Sequence, residues 1–202
     1  MNLTSISRCI SIVGMGCLAC AGSTRAADTG LYFSANAGVN IIDDLTANTF
    51  PVVKVDFDPG FRFSAALGYT FYKNSSVAVA GEFESGVLYN EIDKASVGTL
   101  SAPATGEYWQ IPFLANILVT FMPDSKWNPY IGFGGGGVYG DLTINGVQGD
   151  ETDGAFQGMA GVKYQINENL YAGAGYKALV TFPDGLEKIV NHSFTLAVGA
   201  NF

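Results

Sequence analysis

Thiols, basic side chains and long apolar runs are what this chain has least of. Its three cysteines, Cys9, Cys17 and Cys20, all fall at the start, so everything beyond them can hold neither a disulfide nor a Cys-ligated metal. A thiol-free body suits a chain that crosses an oxidising compartment unfolded. Lys and Arg number 10 against 18 Asp and Glu, and that acidity excludes the basic footprint a nucleic-acid partner requires. The one sustained apolar run, Cys9 to Ala21, is about a dozen residues long, short of the roughly 20 that span a bilayer as a helix.

That run follows Arg8, the only early charge, and gives way to small residues ending at Thr24-Arg25-Ala26. This is the layout of a secretory signal peptide, so residues 1–26 are expected to be removed and 27–202 to form the mature domain. A lipoprotein reading of Cys17 or Cys20 fits poorly, because neither Gly14-Met15-Gly16 nor Cys17-Leu18-Ala19 supplies a good Leu-containing box. Loss of two arginines leaves eight basic against 18 acidic residues, a net charge of −10, on a length that suits one domain.

Hydrophobic residues still make up 48% of the chain, and they are spread with a period of two. In "GLYFSANAGVNI" one parity is Leu31, Phe33, Ala35, Ala37, Val39 and Ile41, the other Tyr32, Ser34, Asn36, Gly38 and Asn40. Such alternation marks a strand with one apolar and one polar face. It recurs in "FRFSAALGYTFY" (61–72), from Val77 to Tyr89, in "WQIPFLANILVTF" (109–121), "FQGMAGVKY" (156–164), "LYAGAGYKALVTF" (170–182) and "HSFTLAVGANF" (192–202). With the glycine-rich stretch 130–140 these make eight segments. Most exceed the five or six residues usual in soluble strands and match the 9 to 11 of a tilted membrane strand.

Connections alternate in length. The short ones, 73–76, 122–126 and 165–169, are rich in Asn, Ser, Asp and Pro, as turns require. The long ones, 42–60, 90–108, 141–155 and 183–191, are expected to be outer loops, the pattern of bacterial barrels with short periplasmic turns. "YIGFGGGGVYG" (130–140) contains a literal G-x-G-x-x-G at Gly132, Gly134 and Gly137. A dinucleotide site would need a helix to follow, and "VYGDLTINGVQGDETDG" reads as a turn-rich loop. The glycines are therefore strand residues, with Gly132, Gly134 and Gly136 thinning one inner wall so that larger side chains fit opposite.

Alternation does not say which face is inside, since a lipocalin-like barrel buries its apolar parity. Here the apolar parity carries no charge, while the other carries Arg62, Glu82, Glu84, Lys163 and Lys177. An uncharged outer band suits hydrocarbon, where a midplane Arg or Lys costs roughly 2 to 4 kcal/mol. Aromatics cluster at two rims: Phe33, Phe71, Phe121, Trp127, Tyr164 and Phe202, and Phe61, Tyr89, Trp109, Tyr139, Phe156 and Phe194. That is a double aromatic girdle. The fold expected is all-β, an eight-stranded antiparallel up-and-down transmembrane β-barrel.

The segments "DPGFRFSAALGYTF" (58–71), "NPYIGFGGGGVYG" (128–140), "NENLYAGAGYK" (167–177) and the terminal "FTLAVGANF" resemble the small eight-stranded outer-membrane barrels of the OmpA-like and Opa-like family. The resemblance spans essentially the whole mature chain. It implies outer-membrane localisation among lipid and lipopolysaccharide, and a final Phe202 similar to the signal read by the barrel assembly machinery. Pro112 departs from the pattern and is expected to bring a bulge or a local break in pairing. The chain ends at the eighth strand, so the peptidoglycan-binding domain of longer OmpA-like proteins, and cell-wall tethering, are not expected.

Arg62, Glu82, Glu84, Lys163 and Lys177 are read first as charges that compensate one another in a closed interior, because unpaired buried charge is costly; the other reading is a gate or narrow polar pathway. His192 and Ser193 do not read as a working catalytic pair, since neighbouring strand residues point to opposite faces. Asp150, Glu151 and Asp153, with Asp43, Asp44, Asp56 and Asp58, could approach Ca²⁺ but lack EF-hand spacing, and read as solvated loop acids. The sequons at Asn74 and Asn191 read as chance. No cofactor, metal site or catalytic role is expected. The expected activity is that of a scaffold or a surface-interaction protein, adhesin-like or antigen-like, whose long loops meet a host or matrix ligand. A narrow porin-like channel is the alternative, and a lipid-modifying enzyme a more distant one.

Overall fold

The computed structural model describes residues 30–43, 45–47, 53–97, 100–103, 105–183 and 188–202. The expected signal peptide, residues 1–26, lies outside them, as does Asp44. In chain order the strands are β1 (Leu31–Ile42), β2 (Leu45–Ala47), β3 (Val53–Phe57), β4 (Gly60–Lys73), β5 (Val77–Val97), β6 (Leu100–Pro103), β7 (Gly106–Phe121), β8 (Trp127–Ile144), β9 (Val147–Gln165), β10 (Leu170–Phe182) and β11 (Ile189–Asn201). Eight of them form an antiparallel ring in the order β1, β4, β5, β7, β8, β9, β10, β11, which closes where β11 pairs β1. Closure leaves the ring without an edge, the condition for a sheet in hydrocarbon.

The parity read from the sequence is the parity of the walls. Phe63, Leu67, Phe83, Phe113, Phe133, Leu196 and Val198 are all more than half exposed on the outer surface, while the alternating Ser64, Asn36, Glu84, Asn116 and Gln157 are buried. Greasy residues outside and polar ones inside reverse the order of a soluble barrel, and only acyl chains make that arrangement favourable. Aromatic pairs sit at both rims. Trp127 and Tyr164 have ring centroids 4.8 Å apart at one, and Tyr89 lies 5.3 Å from Phe61 and 4.5 Å from Trp109 at the other.

Two of the short turns use the same device. The Asn74 side-chain oxygen accepts from the backbone N–H groups of Ser76 (2.9 Å) and Val77 (2.8 Å), and that of Asn167 from Asn169 and Leu170 (2.9 Å each). An Asn side chain thus replaces a backbone turn. At the third, Asn128 Nδ2 donates to the carbonyls of Met122 (2.6 Å) and Ser125 (2.9 Å).

The long connections differ from the loops expected of them. Residues 141–155 are paired strand almost throughout: β8 runs on to Ile144, β9 starts at Val147, and Asn145 (φ 49°) and Gly146 (φ 83°) make the whole turn. Asn-Gly with two positive φ angles is the two-residue hairpin turn whose twist matches the strands, a signal hidden among the polar residues around it. Likewise β5 continues to Val97 and pairs with β3 on one side and β6 on the other. The extensions enclose a small apolar core of Ile42, Val55, Ile92, Tyr108 and Ile189, with Phe57, Leu142 and Ile144 against it. Burying these side chains stabilises strand where solvated loop would expose them.

Pro112 keeps the β7–β8 register, paired with Val138. On its other side the β5–β7 ladder stops at Ser85↔Phe113 and resumes at Leu88↔Gln110 in the same register. The missing N–H interrupts pairing locally, without a bulge.

Gly146→Val puts a β-branched residue at φ 83° with no neighbour within 4 Å to obstruct it, so the cost is backbone strain alone, about 1–3 kcal/mol. The expected result is faster amide exchange around Ile144 and Val147 and a urea midpoint lowered by no more than that cost.

Candidate functional site

Inward side chains fill the lumen in layers. The central layer is organised by one carboxylate. Glu84 Oε1 accepts from Arg62 Nη2 (3.0 Å), Lys177 Nζ (2.5 Å) and Ser64 Oγ (2.8 Å), and Oε2 from Gln157 Nε2 (2.9 Å) and Asn116 Nδ2 (3.2 Å). Arg62 Nη2 also donates to Gln157 Oε1 at 2.5 Å. The strands β4, β5, β7, β9 and β10 thereby meet at a single residue, and all the participants are buried. Such charges are stable inside a protein only when paired and hydrogen-bonded.

Towards the end carrying the short turns, Glu82 accepts from the Tyr32 hydroxyl (3.0 Å) and from Asn116 Nδ2 (3.4 Å). Next to it, Lys163 Nζ stands 5.2, 5.3 and 5.0 Å from the ring centroids of Tyr32, Tyr130 and Tyr171, within cation–π range. Each tyrosine is directly paired with a glycine on the neighbouring strand: Tyr32 with Gly68, Tyr130 with Gly161 and Tyr171 with Gly199. A Cβ at Gly68 or Gly199 would fall 2.1–2.2 Å from the partner ring, and one at Gly161 2.7 Å from the Tyr130 hydroxyl. The rings lie across the glycines because nothing larger fits beneath them. Below this collar a cavity of about 650 Å³ opens outward; directly above it lies a void of about 20 Å³ near Glu82, Met159 and Lys177, and a separate cavity of about 360 Å³ sits at the hairpin end beside Tyr108, Leu142 and Ile189.

Towards the hairpin end, Leu88, Leu114, Val138, Ala155 and Leu179 form an apolar layer, the three leucines fully buried. Beyond it Asn40 Nδ2 donates to Asn90 Oδ1 (2.7 Å) and Asn191 Oδ1 (2.8 Å), and Ser193 Oγ donates to Asn40 Oδ1 (2.7 Å). The apolar core of the extended hairpins lies over this polar ring.

Of the five charges singled out in the sequence, Arg62, Glu84 and Lys177 meet directly, Glu82 joins them through Asn116, and Lys163 stands among tyrosines. Sequence reasoning missed Gln157, Asn116 and the tyrosine collar. Their signal was uncharged polar or tyrosine residues on the inward parity, facing glycines across the ladder. The inward glycines act as expected: a Cβ at Gly134 would meet Asn116 Oδ1 at 2.0 Å, and one at Gly132 would meet Met159 at 2.8 Å.

Ser193 and His192 lie on opposite sides of the wall. Ser193 is buried in the polar ring, whereas His192 Nδ1 lies 2.5 Å from the Tyr176 hydroxyl and Nε2 3.4 Å from Asp43. Asp56 pairs with Lys54 at 3.2 Å, Asp150 and Glu151 are exposed on β9, and no three of the described acidic residues or His form a metal-holding group. Asn74 serves its turn and Asn191 the lumen. Phe202 donates its backbone N–H to Leu31 O at 2.9 Å, extending the closing β1–β11 seam, and leaves its ring half exposed.

No curated protein sequence matches the chain. Among solved structures, Neisserial surface protein A is similar over 89% of this chain and 100% of its own, at 16% identity and a TM-score of 0.58. The outer membrane protein OprG of Pseudomonas aeruginosa is similar over 88% of this chain and 97% of its own, at 15% identity and a TM-score of 0.55. Ail, the attachment invasion locus protein of Yersinia pestis, solved with the heparin analogue sucrose octasulfate, follows over 86% and 99%, at 16% identity and a TM-score of 0.51. These likenesses concern the fold. The sequence itself matches the family model of the outer membrane protein beta-barrel domain over residues 11–202, and with its closed ring and apolar outer band the chain belongs to that family, as a small integral barrel of the outer membrane.

Proposed function

We propose that the protein is a non-catalytic, non-conducting scaffold that holds an extracellular β-structure on the cell surface for contact with other cells or matrix. Residues 1–26 act as its export signal and 27–202 as the barrel, with the short turns and both mature termini in the periplasm. The observation that carries this is the sequence of barriers along the lumen: the Glu84 cluster, the leucine layer, the asparagine ring and the apolar cap. A channel for small solutes would need a continuous polar path, and the void directly above the collar, about 20 Å³, holds little more than one water.

The working surface on this reading is the strand extension built from β2, β3, β5, β6 and the β8–β9 hairpin. The Ail structure holds a heparin analogue, but a polyanion suits this chain poorly. Asp150 and Glu151 are exposed on the distal part of β9, and the nearby lysines Lys54 and Lys94 are engaged by Asp56 and Asp93. A neutral or basic protein surface is the better-matched partner.

Planar bilayers loaded with the protein are expected to stay silent; regular conductance steps from the wild type would replace the scaffold with a pore. Glu84→Gln strips two buried cations of their partner and should cost about 3–5 kcal/mol in urea unfolding. Shortening the β2–β3 and β5–β6 hairpins to tight turns should abolish adhesion of bacteria to host cells or matrix while the barrel keeps its heat-modifiable gel migration; unchanged adhesion would move the contact elsewhere. With Phe202 as the signal for the barrel assembly machinery, Phe202→Ala should lower the amount of folded barrel in outer-membrane fractions several-fold while the purified variant still refolds in detergent.

A further inference from the structure

We propose that the cavity at the periplasmic mouth is a binding site for a small soluble anion of the carboxylate or phosphate class, held by the Lys163 ammonium. The charge balance of the lumen points there first. Between the leucine layer and the mouth, the inward side chains include Arg62, Lys163 and Lys177 against Glu82 and Glu84, one positive charge in excess. Geometry leaves Lys163 outside the side-chain ion pairs, with Glu82 as its neighbouring charge. Glu84 takes both Arg62 and Lys177, and Glu82 is held by Tyr32 and Asn116. Among the described residues no carboxylate stands at ion-pair distance from Lys163, whose close neighbours are the three tyrosine faces. Ring faces attract a cation but do not cancel its charge, and the ammonium keeps three N–H donors for an acceptor.

The position of Lys163 makes that donor reachable. It lines both the 650 Å³ cavity and the small void above it, so it forms the ceiling of a chamber whose volume is that of an ordinary small-molecule site. The chamber's other charged residues are Lys73, Lys126, Asp124 and Glu168. Asp124 is 3.1 Å from Lys73, and the terminal carboxylate of Phe202 makes a third acid against the three lysines of the lining, so the attraction for an anion is local to the Lys163 ceiling. A cation finds its aromatic seat already filled by Lys163. A lipid headgroup offers the same phosphate chemistry, but its acyl chains cannot pass the closed ladder of the wall into the lumen.

The test uses the refolded full chain in a neutral maltoside detergent, titrated calorimetrically with inorganic phosphate and separately with acetate. Saturable one-to-one binding of at least one of them is expected, weakened about tenfold or more in Lys163→Gln, nearly retained in Lys163→Arg, and unchanged in Lys94→Gln on the extracellular side. Heats that never saturate, or equal binding by wild type and a folded Lys163→Gln, overturn the proposal. Should Lys163→Gln fail to reach the heat-modifiable barrel form, the wild type decides: the anion should slow acetylation of Lys163 several-fold by peptide mass spectrometry, and an unaltered rate refutes the site. Repeating the titration in mixed micelles doped with phosphatidylglycerol separates the sources, because a lipid-fed site would already be occupied and lose the calorimetric signal, which counts against a soluble ligand.

Discussion

Hydrocarbon offers a backbone no hydrogen-bond partner, and the rest of this molecule follows from that constraint. Each N–H and C=O within the membrane must find its mate in the sheet, so β11 has to return to β1. Once the ring is closed at eight strands its diameter is set. The interior is then too narrow for a wide aqueous pore, so its side chains either fill it or leave voids.

How the interior is filled differs from a soluble core. Polar residues dominate because the apolar parity is committed to lipid, and they are buried all the same. The solution is to gather many donors on one acceptor: Glu84 receives five side-chain hydrogen bonds from four other strands. Such a cluster is costly to assemble and costlier to break, since removing one partner strands the others. Its worth lies as much in specifying register as in stability, because a one-residue slip of any strand would carry its polar side chain into the lipid.

Alternation made the crossing strands legible from the sequence, and the absence of charge on one parity settled which face meets lipid. Arg62, Glu82, Glu84, Lys163 and Lys177 were legible as inward residues for the same reason. Their partners were not, because strand register is a long-range property: nothing near Glu84 in the chain announces Gln157 or Lys177. The tyrosine collar was hidden similarly, since Tyr171 opposite Gly199 becomes a pair only when β10 and β11 are aligned. The distal hairpins were misjudged for a local reason. Asp, Asn, Gly and Thr around 141–153 resemble loop by composition, and Asn145-Gly146 outweighs them by fixing two positive φ angles in succession.

The apolar core over the hairpin end draws its members from β1, β3, β5, β7 and β11, and it is separated from the leucine layer by the asparagine ring. Two greasy compartments divided by a polar septum can be repacked independently, as distant sites usually are. Foreign hairpins could therefore be grafted onto the outer compartment without redesigning what lies in the bilayer, which makes the distal end of this barrel the part most open to evolutionary diversification.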